Sequence, residues 1–217
     1  MPTATISETS ICNMALTLIG ATQIDSLTDT GDEKARKCNA VYAQVRNDVL
    51  TDFEWTFAQK RVALEESDTD VVWTDDFVTV AYDLPTDFLK LNAVNQRSAL
   101  VKLEGSQLLS DTSELEIKYT YELTDTTHFR PKFIQAFVAR LAAELAIPIS
   151  NKSAMAERLF TIYYEKKLPQ AISKDSQMGT PQAPAQNEWL NARKLGAGGD
   201  LIGQTSWDTF YPINWWY

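Results

Sequence analysis

The spacing of apolar residues changes twice along this chain, and that change constrains its fold more than any other feature. Apolar residues recur every three or four positions from Ile11 to Ile19 and from Ala35 to Phe53, which is the period of a buried helix face. They alternate with polar residues around positions 114–121, which is the period of a strand, and helical spacing returns at Phe129. This order predicts an α+β fold with about four helices in an antiparallel bundle, an inserted antiparallel β-sheet region and an extended C-terminal arm.

The first two predicted helices carry start signals. Thr5 and Glu8, and again Thr30 and Glu33, match the T-x-x-E capping box, in which each side chain satisfies a free backbone N–H group. A short loop rich in Ser, Thr and Asp, residues 25–30, connects the two helices. Helices joined by so short a loop are expected to pack antiparallel.

The middle of the chain predicts strands at 77–82, 89–94, 99–103 and 114–121. In the last of these, Leu115, Ile117, Tyr119 and Tyr121 face one way, while Glu116, Lys118 and Thr120 face the other. This alternation predicts an antiparallel sheet with one face in water.

The two later helices differ in character. The helix beginning near Phe129 is apolar on most of its circumference and carries a stripe of small residues, Ala136, Ala139, Ala143 and Ala146. Such a stripe lets another helix approach closely, either from the same chain or from another subunit. The next helix, about 153–174, contains Pro169, which is expected to kink it or end its regular part.

The C-terminal segment has the composition of a linker and then becomes aromatic. Residues 195–203 hold four of the eight glycines, and the last eleven residues are rich in rings. We expect this segment to bind a partner or to fold back onto its own domain, and the glycine-rich stretch favours the partner. The predicted partner-binding residues are Trp207, Phe210, Tyr211, Trp215, Trp216 and Tyr217.

These patterns divide the 217 residues into four predicted parts. Residues 1–64 form an N-terminal helical pair, and 65–124 form a β-rich insertion. Residues 125–176 form a second helical pair that completes the bundle, and 177–217 form the extended partner-binding arm.

Composition argues against catalysis and against wrapping of nucleic acid. The net charge of −9 disfavours phosphate binding, and a single histidine leaves little room for a histidine-based metal site or relay. Phosphate-binding, zinc-protease and serine-hydrolase motifs are missing from the sequence, so we predict no enzyme, no metal and no cofactor. The competing hypothesis is a small hydrolase that uses carboxylates. Eight of these, without Lys or Arg, lie between Glu65 and Asp87, where a solvated loop and edge strand explain them more simply.

The lack of a signal-peptide pattern and the spacing of the two cysteines predict a cytosolic protein. The N-terminus lacks a basic region followed by an apolar run, and we expect no membrane association. Cys12 and Cys38 have no metal-ligand spacing and are predicted to be buried thiols rather than a disulfide.

Several of these motifs together resemble the tail tubular protein A family, the head-to-tail adaptors of short-tailed bacteriophages. The resemblance covers about four fifths of the chain, and its most specific element is Trp55-x-Phe57-Ala58 after the Arg46-x-Asp48 helix. The other matching residues are Ala15, Leu16, Leu18, Gly20, Ile24, Leu27, Glu33, Ala35, Cys38, Tyr42, Val45, Leu50, Arg61, Tyr82, Leu84, Pro85, Asp87, Glu104, Gly105, Tyr119 and the helix 133–146. The chain departs from the family at Glu54, where a proline is expected.

The resemblance implies a structural protein of the virion, located in the neck between head and tail and assembled in the bacterial cytoplasm. Members form a dodecameric ring that binds the portal protein through a C-terminal arm and the tail nozzle on the other side. DNA passes through the lumen during genome ejection. The alternatives are another phage neck or tail completion protein and a non-viral helical adaptor module.

Two further sets of candidate residues follow. The subunit interface is expected to use the Trp55 and Phe57 element or the small-residue stripe Ala136, Ala139 and Ala143. If the acidic stretch lines the channel, it repels the DNA backbone and lets DNA slide without specific binding. The residues of this possible acidic lumen are Asp68, Asp70, Asp75 and Asp76.

Overall fold

The computed structural model describes residues 6–67, 80–96 and 99–178, all within one compact unit, Met1–Gly179. Over this part the fold is mixed helix and sheet, which confirms the predicted α+β class. The helices are α1 (Glu8–Leu18), α2 (Glu33–Asp52), α3 (Pro131–Ser150), α4 (Ser153–Ile162) and α5 (Leu168–Ser176). The strands are β1 (Gln59–Ala63), β2 (Val80–Asp83), β3 (Phe88–Val94), β4 (Val101–Glu104), β5 (Gln107–Ser110) and β6 (Glu116–Tyr121).

Both predicted capping boxes are wrong in detail, because the helices begin two residues later. Ser7 caps α1 by accepting from the backbone N–H of Ser10, and Asp32 caps α2 by accepting from that of Lys34. Each true cap lies closer to the first helical residue than the threonine chosen from the sequence. Serine and aspartate are at least as favourable as threonine at this position, so the helix start moves to them.

Asp32→Ala is expected to lower the free energy of unfolding by about 0.5–2 kcal/mol, because Lys34 loses its capping acceptor. Urea denaturation of the purified chain measures this change. The matched control is Thr30→Ala, which removes the threonine of the predicted capping box and is expected to change stability by less than about 0.5 kcal/mol. Equal losses in the two variants would contradict the assignment of Asp32 as the cap.

Helix α3 is the centre of the helical part, and α1, α2, α4 and α5 all pack against it. Its residues are apolar enough over a sufficient length to cross a membrane, but most of that surface is buried against the rest of the chain, as in the core helix of a folded domain. The ring of Tyr42 from α2 lies 5.2 Å from that of Phe137. Cys12 and Cys38 are both buried and free, as predicted.

The irregularity expected at Pro169 appears just before it. One π-helical turn, Tyr163–Lys167, separates α4 from α5, and Pro169 lies in the first turn of α5. A proline has no N–H group for the carbonyl of the preceding turn, so the backbone widens there and the helix continues to Ser176.

The β part forms two small antiparallel sheets where the sequence predicted one. Their strand orders are β1-β6-β3 and β2-β5-β4. Four strands were predicted, with shifted ends, whereas β1 and β5 were missed. Gly105, with φ +60°, turns the chain between β4 and β5 in a conformation that suits glycine. The predicted wet face of β6 is also interrupted, because Thr120 is fully buried and its hydroxyl accepts a 3.0 Å hydrogen bond from Asn92.

The helical and β parts have separate buried cores, and a charged contact joins them. Tyr82, Leu108 and Ile117 belong to the β core, whereas α1–α5 share the helical one. Arg46 of α2 is buried and pairs with Glu122, just after β6, and Asn47 donates to the same carboxylate at 3.1 Å. This joint fixes α2 against the end of the sheet.

Candidate interaction surfaces

Trp55, a predicted subunit-interface residue, lies in the core of its own chain. Its side chain is 1% exposed, and its indole N–H donates to the carbonyl of Val49 at 2.8 Å. Its ring lies edge-on to that of Phe133 at 5.1 Å, and the half-buried ring of Phe57 is 5.0 Å from Phe133 as well. The Trp55 side chain therefore fixes the turn between α2 and β1 and is almost entirely enclosed by its own chain.

The three interface alanines are also internal. Ala136, Ala139 and Ala143 of α3 are all buried in the single chain. The sequence left open whether the close neighbour of this stripe belongs to the same chain, and the packing of four helices of the same chain against α3 answers that question.

The remaining predicted site residues lie outside the described residues. These are the C-terminal set Trp207, Phe210, Tyr211, Trp215, Trp216 and Tyr217, and the acidic set Asp68, Asp70, Asp75 and Asp76.

An apolar groove of about 540 Å³ runs between α1, α3 and α4. Met14 and Leu18 on α1 are 37% and 49% exposed at its edge, and Ile134, Val138 and Leu159 lie below them. Both α1 residues belong to the helical stripe that predicted burial. Partly exposed apolar side chains around one groove are typical of contact surfaces, and the sequence pattern alone did not distinguish them from core.

A smaller cleft of about 220 Å³, which we call the basic cleft, opens where α5 meets the start of α3. Its apolar residues include Trp55, Phe133 and Met178, and its cationic residues are Arg130, Lys132 and Lys174. Nothing in the sequence pattern predicts this cleft, because its walls come from three segments separated by more than thirty residues each.

Asp175 lies in the same cleft but is fully engaged by its own chain. The carboxylate is 4% exposed and accepts hydrogen bonds from the backbone N–H of Thr56 at 2.8 Å and from its hydroxyl at 2.9 Å. It therefore ties the end of α5 to the 3-10 turn Thr56–Ala58, which precedes β1.

Asp175→Ala is expected to destabilise the chain by about 1–3 kcal/mol, because a partly buried N–H and hydroxyl of Thr56 lose their acceptor. Thermal and urea denaturation measure the loss. Asp29→Ala serves as the control, since its carboxylate accepts only an exposed N–H from Gly31 at 2.8 Å. An effect of Asp175→Ala as small as that of the control would show that the tie between α5 and β1 contributes little.

Acidic residues cluster just after the C-terminal end of β1, on a surface that we call the acidic edge. Glu65, Glu66 and Asp83 are exposed there, around the apolar side chains of Leu64 and Pro85. The concavity between them has a volume of about 420 Å³.

A separate carboxylate, Asp87, belongs to an internal network of the β part. Burial opposes its ionised form, but hydrogen bonds from Lys60 at 2.5 Å and Tyr119 at 2.9 Å outweigh burial and lower the pKa of Asp87. Burial and the bond to Asp87 raise the pKa of Tyr119 to about 12. These shifts follow from structural pairing and do not single out an acid or base for catalysis.

A metal site in the described residues would require several ligating side chains close together. Over residues 6–67, 80–96 and 99–178 no three His, Cys, Asp or Glu side chains converge to hold a metal ion. His128 is exposed and lies 3.2 Å from Asp125, within one short turn. The surfaces formed by the described residues are an apolar groove, a basic cleft and an acidic edge.

No protein-family model matches the chain, and no curated protein matches it. The resemblance drawn from the sequence motifs therefore stays a prediction.

Proposed function

We propose that the chain is a structural head-to-tail adaptor of a bacteriophage virion. In this role it forms a ring, a dodecamer in the family it resembles, between the portal protein and the tail nozzle. The role is non-enzymatic and requires no cofactor. It places the protein in the neck of the virion after assembly in the host cytoplasm, with no membrane involved.

The observation that carries the proposal is the position of the most specific motif residues in the fold. Arg46 joins α2 to the residue after β6, and Trp55 and Phe57 pack on Phe133 of α3. The motif residues thus hold structural positions, Arg46 between the helical and β parts and Trp55 and Phe57 in the helical core. This supports a shared fold more strongly than isolated surface matches would, because packing constrains all of them together.

The proposal includes a finer architecture than the α+β class. We infer that α1, α2, α3 and the α4–α5 pair make an antiparallel four-helix bundle, with the β part inserted between its halves. In this arrangement the segment 177–217 is an arm, and its aromatic residues anchor it on a portal or a neighbouring adaptor subunit.

Charge supports the proposed passage of DNA. The chain carries a net charge of −9, and a ring of such chains repels a phosphate backbone. We propose that Asp68, Asp70, Asp75 and Asp76 or other acids face the channel, so that DNA slides without binding. A basic lumen in a structure of the assembled ring would contradict this part of the proposal.

The decisive experiment mixes the purified chain with portal-bearing, tailless heads and images the particles by cryo-electron microscopy. We expect a ring of additional density at the portal vertex, and attachment of the nozzle protein only after the ring has formed. Heads that lack portals provide the control. Absence of the density at saturating chain concentration, or equal density on the control heads, would contradict the adaptor role.

A further inference from the structure

We propose that copies of this chain contact one another head to tail, with the acidic edge of one copy binding in the basic cleft of the next. The inference rests on the ring of the proposed function and names the surfaces that build it. Both surfaces consist entirely of described residues, and their charges are complementary.

The basic cleft is too small for a typical metabolite but suits a protein surface. Its volume of about 220 Å³ lies below the range of about 300–1,000 Å³ that small-molecule sites occupy. Its only acidic residue, Asp175, is satisfied by Thr56, so the available charge comes from Arg130, Lys132 and Lys174. The cleft thus offers an apolar floor beneath a cationic rim, in a chain whose overall charge is negative.

The start of α3 adds to this positive character. Arg130 is the N-cap residue, and its side chain makes no capping hydrogen bond, while Pro131 opens the helix. The first backbone N–H groups of a 20-residue helix therefore point out of its end without intrahelical acceptors. Carboxylates brought into the cleft are favoured by the helix end as well as by the side chains.

The acidic edge has the matching chemistry. Glu65, Glu66 and Asp83 are exposed, and no cationic residue is among those that line their concavity. Leu64 and Pro85 supply half-buried apolar surface between these carboxylates. Complementary potentials of this kind fix the register of an interface and disfavour other partners.

The two surfaces lie at different ends of β1. Thr56, just before the strand, is bound to Asp175 in the cleft, whereas Glu65 follows the strand. Extended chain from Gln59 to Glu65 covers about 20 Å at about 3.3 Å per residue, so the acidic edge is separated from the cleft of its own chain. A contact between two different patches is heterologous, and such contacts generate closed rings when the rotation between subunits allows it.

The test is a charge exchange between two full-length variants. The cleft variant is Arg130→Glu, Lys132→Glu and Lys174→Glu, and the edge variant is Glu65→Lys, Glu66→Lys and Asp83→Lys. Wild-type chain at millimolar concentration and low salt is expected to self-associate in sedimentation velocity. Each variant alone is expected to associate at least about tenfold more weakly, because like charges then face each other. An equimolar mixture is expected to regain association, because every contact between the two variants is again between opposite charges.

Control variants separate this effect from net charge and from folding. Lys152→Glu with Arg158→Glu changes two exposed cations outside the cleft, at the N-cap of α4 and within it, and is expected to leave association unchanged. Circular dichroism and urea denaturation check that each variant is folded. If a triple variant is not, the neutral pairs Arg130→Gln with Lys174→Gln and Glu65→Gln with Glu66→Gln replace it, each again expected to weaken association.

Failure of the wild-type chain to associate, or of the mixture to recover, would overturn the inference. Neither result bears on attachment to portal-bearing heads, which is measured separately. The adaptor role stands if attachment persists without charge-dependent self-association. Conversely, recovery in the mixture together with no attachment to heads would support the interface and contradict the adaptor role.

Discussion

Deletion of residues 204–217 is expected to abolish attachment of the chain to portal-bearing heads while its folded core keeps its stability. The deleted segment contains Trp207, Trp215 and Trp216 with three other aromatic residues, and it follows the glycine-rich stretch 195–203. Large aromatic side chains carry most of the binding energy in protein interfaces, so losing all of them removes the anchors at once. Cosedimentation with heads measures attachment, and urea denaturation measures the free energy of unfolding.

Two variants sharpen this deletion. Replacing Trp207, Trp215 and Trp216 by serine in the full-length chain is expected to reduce attachment nearly as much as the deletion. Replacing the intervening polar residues Thr205, Asp208 and Thr209 by alanine is expected to leave attachment unchanged. Normal attachment of the deletion variant would exclude the aromatic segment as the portal contact. A large loss of stability on deletion would instead place its aromatic residues in the core of their own chain.

The fold class was predictable because long periodic segments dominate it. Helix α3 shows its burial in the sequence, since apolar residues cover most of its circumference, and β6 shows its alternation. The ends of elements were less predictable. Ser7 and Asp32 compete with nearby threonines for the cap position, and a local pattern does not decide which of several good caps the backbone uses.

Strands β1 and β5 were missed because both are short and lack clear alternation. β1 reads Gln-Lys-Arg-Val-Ala and is stabilised by pairing with β6, which is more than fifty residues away in the sequence. β5 depends in the same way on β2 and β4. Pairing over such separations is a tertiary effect, and strand propensity reflects it only weakly.

The candidate surfaces could be predicted from the sequence only in part, again because they depend on tertiary packing. The sequence motif singled out Trp55 as a subunit-interface candidate, whereas its hydrogen bond to Val49 and its contact with Phe133 place it inside its own chain. Sequence patterns identify large aromatic residues without saying which side of the surface they occupy. The basic cleft is invisible in the sequence for another reason, since Arg130 and Lys174 meet only through the packing of α5 on α3.

Trp55→Ala is expected to lower the free energy of unfolding by about 3–5 kcal/mol, enough to unfold a large share of a marginally stable domain. The substitution removes a fully buried indole that packs against Phe53, Phe57 and Phe133. The surrounding structure relaxes only partly, so a cavity remains where the indole was. It also leaves the carbonyl of Val49 without its 2.8 Å donor. Urea denaturation monitored by circular dichroism measures the loss.

Two comparisons identify the source of this loss. Trp55→Phe keeps most of the apolar volume but removes the N–H group, so we expect it to cost about 1–3 kcal/mol, less than the alanine variant. Leu103→Ala, at a side chain that is 51% exposed, is expected to change stability by less than about 0.5 kcal/mol. A folded Trp55→Ala variant with wild-type stability but weakened self-association would contradict the core position and support the prediction that Trp55 contacts another subunit. Loss of stability in the isolated chain, before any partner is added, is the result that a core position requires.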